Sequence, residues 1–293
     1  MPTLPHPLGD LEYVLLDGDP DLPTLVFLHE GLGSAGQWGR LPSLVSDATG
    51  MRALVYSRHG YGGSAGDGPQ GADYLHREGT DVLPEVLDAL GIDTPFLVGH
   101  SDGASIAVVN AGTHPVRAAV LIAPHLVVED TTLTGIRATA ARFDEQVRPS
   151  LAMFHDDPDG LFARWSGVWL SEEFASLDLT DLLPRIDVPL LVVQGVDDEY
   201  GTSIHLDAVA EHASGPVQTR LLAGHGHHPH LKDPEAIARL IADFAHAPSR
   251  WVRRKKRYDA DDCDRRDRNA QRVHRTVQQG HAHQRPVAVR PRL

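Results

Sequence analysis

Uninterrupted apolar runs, rather than alternating ones, recur through much of this chain, at 24–29, 52–56, 96–98, 116–123 and 189–194. Runs of this kind suit strands buried on both faces. Two further strands are expected at 11–16 and 217–222. Between the runs lie stretches with helical spacing, at 37–48, 72–90, 203–213 and 234–247, and a small-residue helix begins at about residue 101. Within 72–90, Leu75, Val82, Val86, Leu87 and Leu90 share a face, and Pro84 predicts a kink. Strands alternating with helices imply a parallel sheet covered on both faces. From 131 to 186 the alternation stops. Helical pieces carrying Phe143, Phe154, Phe162, Trp165, Trp169 and Phe174 are expected there as an insertion between two sheet strands. No internal repeat is visible.

One turn between a run and a helix carries chemistry. Gly99-His100-Ser101-Asp102-Gly103 joins the strand at 96–98 to the small-residue helix. It has the G-x-S-x-G spacing in which a strained turn lifts a serine hydroxyl above the sheet edge. Small residues are needed two before and two after Ser101, because a side chain at either place would strike the neighbouring strand or helix. The helix N-terminus adds unpaired N–H groups and a positive dipole end beside the hydroxyl.

Composition refines this picture without changing it. Apolar residues at 41% and charged residues at 23% are those of an ordinary globular protein, and 293 residues suffice for a large core. No stretch approaches the roughly 20 apolar residues of a membrane span. The first ten residues have no signal-like run, so a cytoplasmic location and no membrane partner are expected. The single cysteine, Cys263, excludes an intrachain disulfide. The net charge of −13 is unevenly spread: 250–293 holds 14 Lys and Arg against 5 Asp, or +9, and the rest holds 13 against 35, or −22. An acidic body argues against nucleic acid as its partner. The tail is too polar to offset its ordering entropy and is expected to be a disordered basic appendage. Its run Arg253-Arg254-Lys255-Lys256-Arg257 comes with no aromatic platform for nucleic acid.

A serine needs a base to take its proton, and the base needs an oriented acid. In an open parallel sheet these partners belong in loops after later strands. Two loops qualify: Gly195-Val196-Asp197-Asp198, and Gly224-His225-Gly226-His227-His228-Pro229-His230. Spacing alone leaves Asp197 beside Asp198, and His225 and His228 beside His227. A metal cluster of the four histidines is the competing reading of the second loop, disfavoured because no carboxylates are spaced beside them.

Taken together, residues of about 10 to 247 resemble an α/β-hydrolase-fold serine hydrolase. The resemblance rests on Leu28-His29-Glu30-Gly31-Leu32-Gly33-Ser34 with Trp38, on Ser57-Arg58-His59-Gly60-Tyr61-Gly62-Gly63-Ser64, on the Ser101 turn, on G-x-D-D at 195–198 and on G-x-G-H at 224–227. It implies a mostly parallel central sheet with helices on both faces, core segments 1–130 and 187–249, and a helical cap at 131–186. It also implies Ser101 as nucleophile, Asp198 as orienting acid, His227 as base, and the N–H groups of Gly31 and Asp102 as oxyanion donors. Cap aromatics Trp165 and Trp169, with Glu30, are expected at the substrate pocket.

Three positions depart from the family's pattern: Glu30 stands for Gly, Ser57 for Asp and His59 for Arg. Pointing inward, the Glu30 carboxylate would oppose negative charge at the oxyanion loop; the favoured expectation is that it points away and holds its loop by hydrogen bonds. The implied activity is hydrolysis of a small or medium ester through an acyl-enzyme, with no metal and no cofactor. Cleavage of a C–C bond in a diketo acid, of a thioester, amide or lactone, and non-catalytic ligand reception use the same residues. Among the cap arginines, Arg137, Arg142, Arg148 and Arg164 are the candidates for an anionic substrate, with solvation as their default role.

Overall fold

The apolar runs become strands of one eight-stranded sheet. They are β1 (Thr3–Leu4), β2 (Leu11–Leu16), β3 (Leu25–Leu28), β4 (Ala53–Tyr56), β5 (Phe96–His100), β6 (Ala118–Ile122), β7 (Leu190–Gly195) and β8 (Val217–Leu222). Their spatial order is β1-β2-β4-β3-β5-β6-β7-β8. From β4 to β8 every neighbour is parallel, whereas β1 and β2 join antiparallel at one edge. Every residue of β3, β4, β5, β6 and β7 is buried, which is why these segments read as continuous apolar runs. β8, at the open edge, is only partly covered. The computed structural model describes residues 1–247, and the tail expected over 250–293 lies outside them.

Helices cover both faces of the sheet. On one face α1 (Leu41–Thr49) and the last helix, α10 (Pro234–His246), bury Leu41, Val45, Ile237, Ile241 and Phe244 against Phe27, Val55 and Phe96. The opposite face takes α2 (Tyr74–Arg77), α3 (Leu83–Ala89) and α4 (Asp102–Ala111), whose Leu75, Val86, Ile106 and Val109 share one cluster with Leu28 and Leu54. Burial of this kind contributes about 1.5–3 kcal/mol per large aliphatic side chain.

Between β6 and β7 run α5 (Asp130–Ala141), a π-turn (Phe143–Val147), α6 (Arg148–Leu151) and α7 (Pro158–Trp169), then two 3-10 turns. Ile136, Leu151, Leu161, Trp165 and Trp169 belong to the same apolar cluster as α4. All described residues form one compact unit, so this insertion is built onto the sheet. Its two ends are stitched together by a bridge between Val127 and Asp178 and by Leu179 N–H donating to Leu126 O at 2.8 Å.

Three local expectations are corrected. The helix expected over 37–48 is interrupted: a 3-10 turn (Ala35–Trp38) ends at Gly39, whose φ of +60° is the left-handed value glycine tolerates. The distortion expected at Pro84 lies one turn earlier, as a π-turn over Glu78–Val82. Pro84 cannot donate to the carbonyl four residues back, and the wider turn absorbs that loss. It also lets Gly79 press on α4, where a β-carbon would stand 2.7 Å from Val109 Cβ, and Asn110 Nδ2 donates to Gly79 O at 2.9 Å. The helix expected over 203–213 is α8 (Ile204–His212), whereas β1 and the short α9 (Pro229–Lys232) were not expected, being too brief for any periodicity.

The turn between β5 and α4 is strained, as its sequence demands. Ser101 has φ +53° and ψ −117°, conformations that cost a non-glycine residue about 1–3 kcal/mol. A β-carbon on Gly103 would lie 1.8 Å from Leu28 O, and one on Gly99 would lie 2.3 Å from Gly103 O. Since the obstacles are backbone atoms of β3 and α4, they cannot rotate away. We therefore expect Gly103→Ala to lower unfolding free energy by about 3 kcal/mol or more, read from a urea midpoint, as overpacking against a rigid neighbour does. An unchanged midpoint would mean that β3 and α4 separate more easily than this contact implies.

Candidate active site

The carboxyl edge of the sheet gathers the chemistry. Ser101, after β5, and His227, after β8, border one cavity of about 300 Å³, with Asp102, Glu30, Trp165 and Trp169 also on its wall. Behind His227 sits Asp198, after β7. Nδ1 of His227 lies 2.9 Å from Asp198 Oδ1 and 3.0 Å from Oδ2. An ionised carboxylate only accepts, so Nδ1 carries the proton and Nε2 is left as the basic nitrogen.

Asp198 is itself held in place. Gln194 Nε2 donates to its Oδ2 at 2.6 Å and Tyr200 N–H to its Oδ1 at 2.8 Å. The two loops are locked together where Gly195 meets His225 and Gly226, since a β-carbon there would stand 2.1 Å from His225 O. The alternatives from sequence are placed elsewhere. Asp197 is exposed, and His225 Nδ1 faces Ala223 O at 3.0 Å. His228 borders the cavity, but burial, then the nearby His227, push its pKa down to about 3.

Burial opposes a charge on His227. The Asp198 hydrogen bond and charge, with Glu30 and Glu199 beyond, outweigh it and move the imidazole above the ordinary histidine value. Glu30 corrects the expectation that it points away. Its Oε2 accepts from Leu32 N–H at 2.6 Å, holding the loop from below, yet the carboxylate stays on the cavity wall within reach of His227's charge. Burial raises the Glu30 carboxyl, and the Leu32 N–H and His227 partly restore it.

The amides assigned by resemblance to an oxyanion lie where the turn and loop leave donors open. Asp102 is the first residue of α4, and its N–H has no protein acceptor among the described hydrogen bonds, whereas Ala104 N–H already donates to Ser101 O at 2.9 Å. Gly31 N–H has no protein acceptor among the described hydrogen bonds. A β-carbon on Gly31 would fall 2.1 Å from Trp165 Nε1, so the indole lies directly over this loop. Trp169 Nε1 donates to Tyr74 OH at 2.9 Å, and Tyr74 OH donates to Asp102 Oδ2 at 2.5 Å.

The family departures find partners. Ser57 Oγ donates to Glu12 Oε1 at 2.5 Å and accepts from Ala35 N–H at 2.8 Å, so Glu12 on β2 supplies a carboxylate where the family carries Asp. His59 Nε2 lies 3.1 Å from Gly9 O. Sequence reading missed His125, Tyr200, Gln146 and Thr139 on the cavity wall. For His125 a signal existed: it follows β6 at the carboxyl edge, where ligand residues collect. Tyr200, in the loop after β7, carried the same signal, whereas Gln146 and Thr139 depend on how the insertion folds back. Among the cap arginines, Arg148 pairs with Asp144 and Asp159 and Arg164 with Asp157, whereas Arg142 borders the cavity.

An eight-stranded sheet with this order and a strained strand-to-helix serine defines the α/β-hydrolase class. The model of the alpha/beta hydrolase family matches residues 25–240, and the chain belongs to that family. Curated relatives include monoglyceride lipase of Homo sapiens, 27% identical over 78% of this chain and 82% of that protein, and serine hydrolase BPHL of Homo sapiens, 27% identical over 65% and 68%. A segment of sn-1-specific diacylglycerol lipase ABHD11 of Mus musculus is 35% identical, over 36% of this chain and 33% of that protein. Among solved structures, the enol-lactonase from Burkholderia xenovorans LB400 superposes with a TM-score of 0.64 at 20% identity, covering 83% of this chain and 99% of that one. The chain is accordingly a hydrolase. No helix among the described residues is long and apolar enough to cross a membrane.

The electrostatics around His227 are directly measurable. In an NMR titration we expect its imidazole to lose its proton above the ordinary histidine range, and Glu30→Gln to move that midpoint down, because one raising charge is removed. A midpoint unmoved by Glu30→Gln would show that the carboxylate does not act on the imidazole.

Proposed function

We propose that this protein hydrolyses small or medium organic esters through an acyl-enzyme formed on Ser101. The observation that carries this reading is the cavity bordered both by Ser101, on its strained turn, and by the histidine whose Nδ1 is bound by Asp198. In this reading His227 Nε2 takes the Ser101 proton as the oxygen attacks the carbonyl carbon, and returns it to the departing alcohol. Negative charge on the carbonyl oxygen rests on the Gly31 and Asp102 N–H groups and the N-terminus of α4. Water, deprotonated by the same nitrogen, then releases the acid. The insertion over 131–186 acts as the cap that shapes the substrate space.

The named relatives support an acyl bond as target: two of them are lipases. The cavity supports a compact acyl group with a polar end. Ile136, Leu151, Trp165 and Trp169 form its apolar side, and Arg142, Gln146 and Ser150 stand at its rim, each about one turn from the next. A carboxylate at the far end of the acyl chain would meet Arg142.

Turnover of p-nitrophenyl butyrate and p-nitrophenyl hemisuccinate tests both parts. Ser101→Ala and His227→Ala should each lower kcat by about 10³-fold or more, and Asp198→Asn by about 10²-fold or more. Arg142→Gln should lower kcat/KM for the hemisuccinate about 1.5- to fivefold relative to the butyrate, the range of a solvent-screened charge contact. Wild-type inactivity toward all esters would overturn the reaction, and an unchanged ratio would overturn the rim assignment.

A further inference from the structure

Beneath the loop that carries Gly31 lies a buried cation for which the proposed reaction has given no role. Arg58 is 1% exposed. Its Nη2 donates to Glu30 O at 2.9 Å and lies 4.0 Å from Asp102 Oδ2, and its guanidinium carbon sits 4.6 Å above the Tyr61 ring. Its backbone N–H donates to His29 Nε2 at 3.0 Å. A backbone N–H can only donate, so that nitrogen of His29 accepts and Nδ1 carries the proton. The neutral form is favoured by burial, and next by the charge of Arg58. His29 Nδ1–H therefore donates to Glu30 O, at 2.7 Å.

The Glu30 carbonyl is thus met by His29 Nδ1–H, by the Arg58 guanidinium and, at 3.1 Å, by Gly33 N–H. This carbonyl and the Gly31 N–H are two ends of one peptide unit. Donors at the oxygen draw electron density through the amide and make its N–H a stronger donor, most so when one of them is charged and shielded from water. The same guanidinium faces the carboxylate of Asp102, the residue whose own N–H is the second donor. On the other side of the loop, Tyr61 OH donates to Gly31 O at 3.0 Å.

We propose that Arg58 is a positioning residue for the oxyanion site, polarising the Glu30–Gly31 peptide and tying the two donor-bearing residues to one buried charge. The proposal rests on the acyl-enzyme reading above. Its reason lies in cost: burying a guanidinium is unfavourable unless its contacts return the loss, and an apolar side chain of similar volume would serve packing alone better. What an apolar residue cannot do is strengthen a donor toward charge that exists only in the transition state.

The test separates transition-state from ground-state effects. Arg58→Met would leave Asp102 buried without its cation and risks misfolding, so it is paired with Asp102→Asn in a double variant that removes the cation together with the carboxylate it faces. Arg58→Lys and Asp102→Asn alone complete the set. Active sites are counted by fluorophosphonate titration. For each variant kcat and KM are measured, with inhibition by a trifluoromethyl ketone, which forms an oxyanion, and by a matching ether, which forms none.

Relative to Asp102→Asn, the double variant should lose about 10- to 100-fold in kcat per titrated site and lose ketone affinity in parallel. KM and ether affinity should stay within about twofold, and Arg58→Lys should recover part of the loss. A structural role would instead reduce the number of titrated sites and leave kcat per site and ketone affinity unchanged, which would overturn the proposal. Equal losses of ketone and ether affinity would also overturn it. Wild-type protein that neither hydrolyses an ester nor reacts with the fluorophosphonate would remove the acyl-enzyme reading itself, a result distinct from either.

Discussion

Backbone meets backbone at the start of α4, where Gly103 lies so close to Leu28 O that a β-carbon would stand 1.8 Å from it. That contact lets the chain leave β5, turn at once and run back across β3, and the sharpness of the turn forces Ser101 to φ +53°. The strain is maintained by elements that are themselves buried, β5 and α4 having no exposed residue. A second glycine repeats the device across the sheet edge. Gly195 allows the loop after β7 to touch the loop after β8, and Asp197 N–H donates to His225 O at 2.9 Å. Asp198 and His227 are brought together by that lock before their own hydrogen bond adds to it.

Around these contacts the protein keeps an unusual amount of polar chemistry out of water. His29, His100, His125 and His230 are all driven toward the neutral form, first by burial and then by Arg58 beside His29 and by neighbouring histidines beside the other three. His227 alone among the described buried histidines with a resolved shift is moved the other way, because Asp198 faces it directly. The environment therefore separates one basic imidazole from several inert ones. Neutral rings still contribute packing: His100 lies 5.0 Å from His227 and 4.5 Å from His230, and its Nε2 donates to His227 O at 2.9 Å.

Much of this was legible before any coordinates. Strands buried on both faces announce themselves as apolar runs, and the serine turn announces itself by its two glycines, since no other residue fits either place. The order of the Asp198 and His227 loops follows from the same topology. What stayed hidden depends on partners distant in sequence. Ser57 reads as a missing carboxylate until β2 brings Glu12 to it across 45 residues of chain. Arg58 reads as a turn residue because its burial comes from the meeting of the loops after β3 and β4 with α4. For Glu30 the loop hydrogen bond and the pocket were read as alternatives by orientation, whereas the folded loop lets it hold Leu32 N–H and border the cavity at once. The insertion was legible as helical, with Trp165 and Trp169 at the pocket, but Thr139, Gln146 and Ser150 on the cavity wall were not, because polar cap residues read as solvated until the insertion folds back.

Whether Ser101 is an activated nucleophile decides the account, and one adduct measurement addresses it. Incubation with an alkyl fluorophosphonate, followed by intact mass and peptide mapping, should give a single phosphonyl group on Ser101, because only a serine beside a base attacks phosphorus quickly. The adduct should be absent from Ser101→Ala. Labelling that persists in that variant, maps to another residue, or fails to occur on the wild-type protein would contradict the arrangement of Ser101, His227 and Asp198 as a catalytic unit.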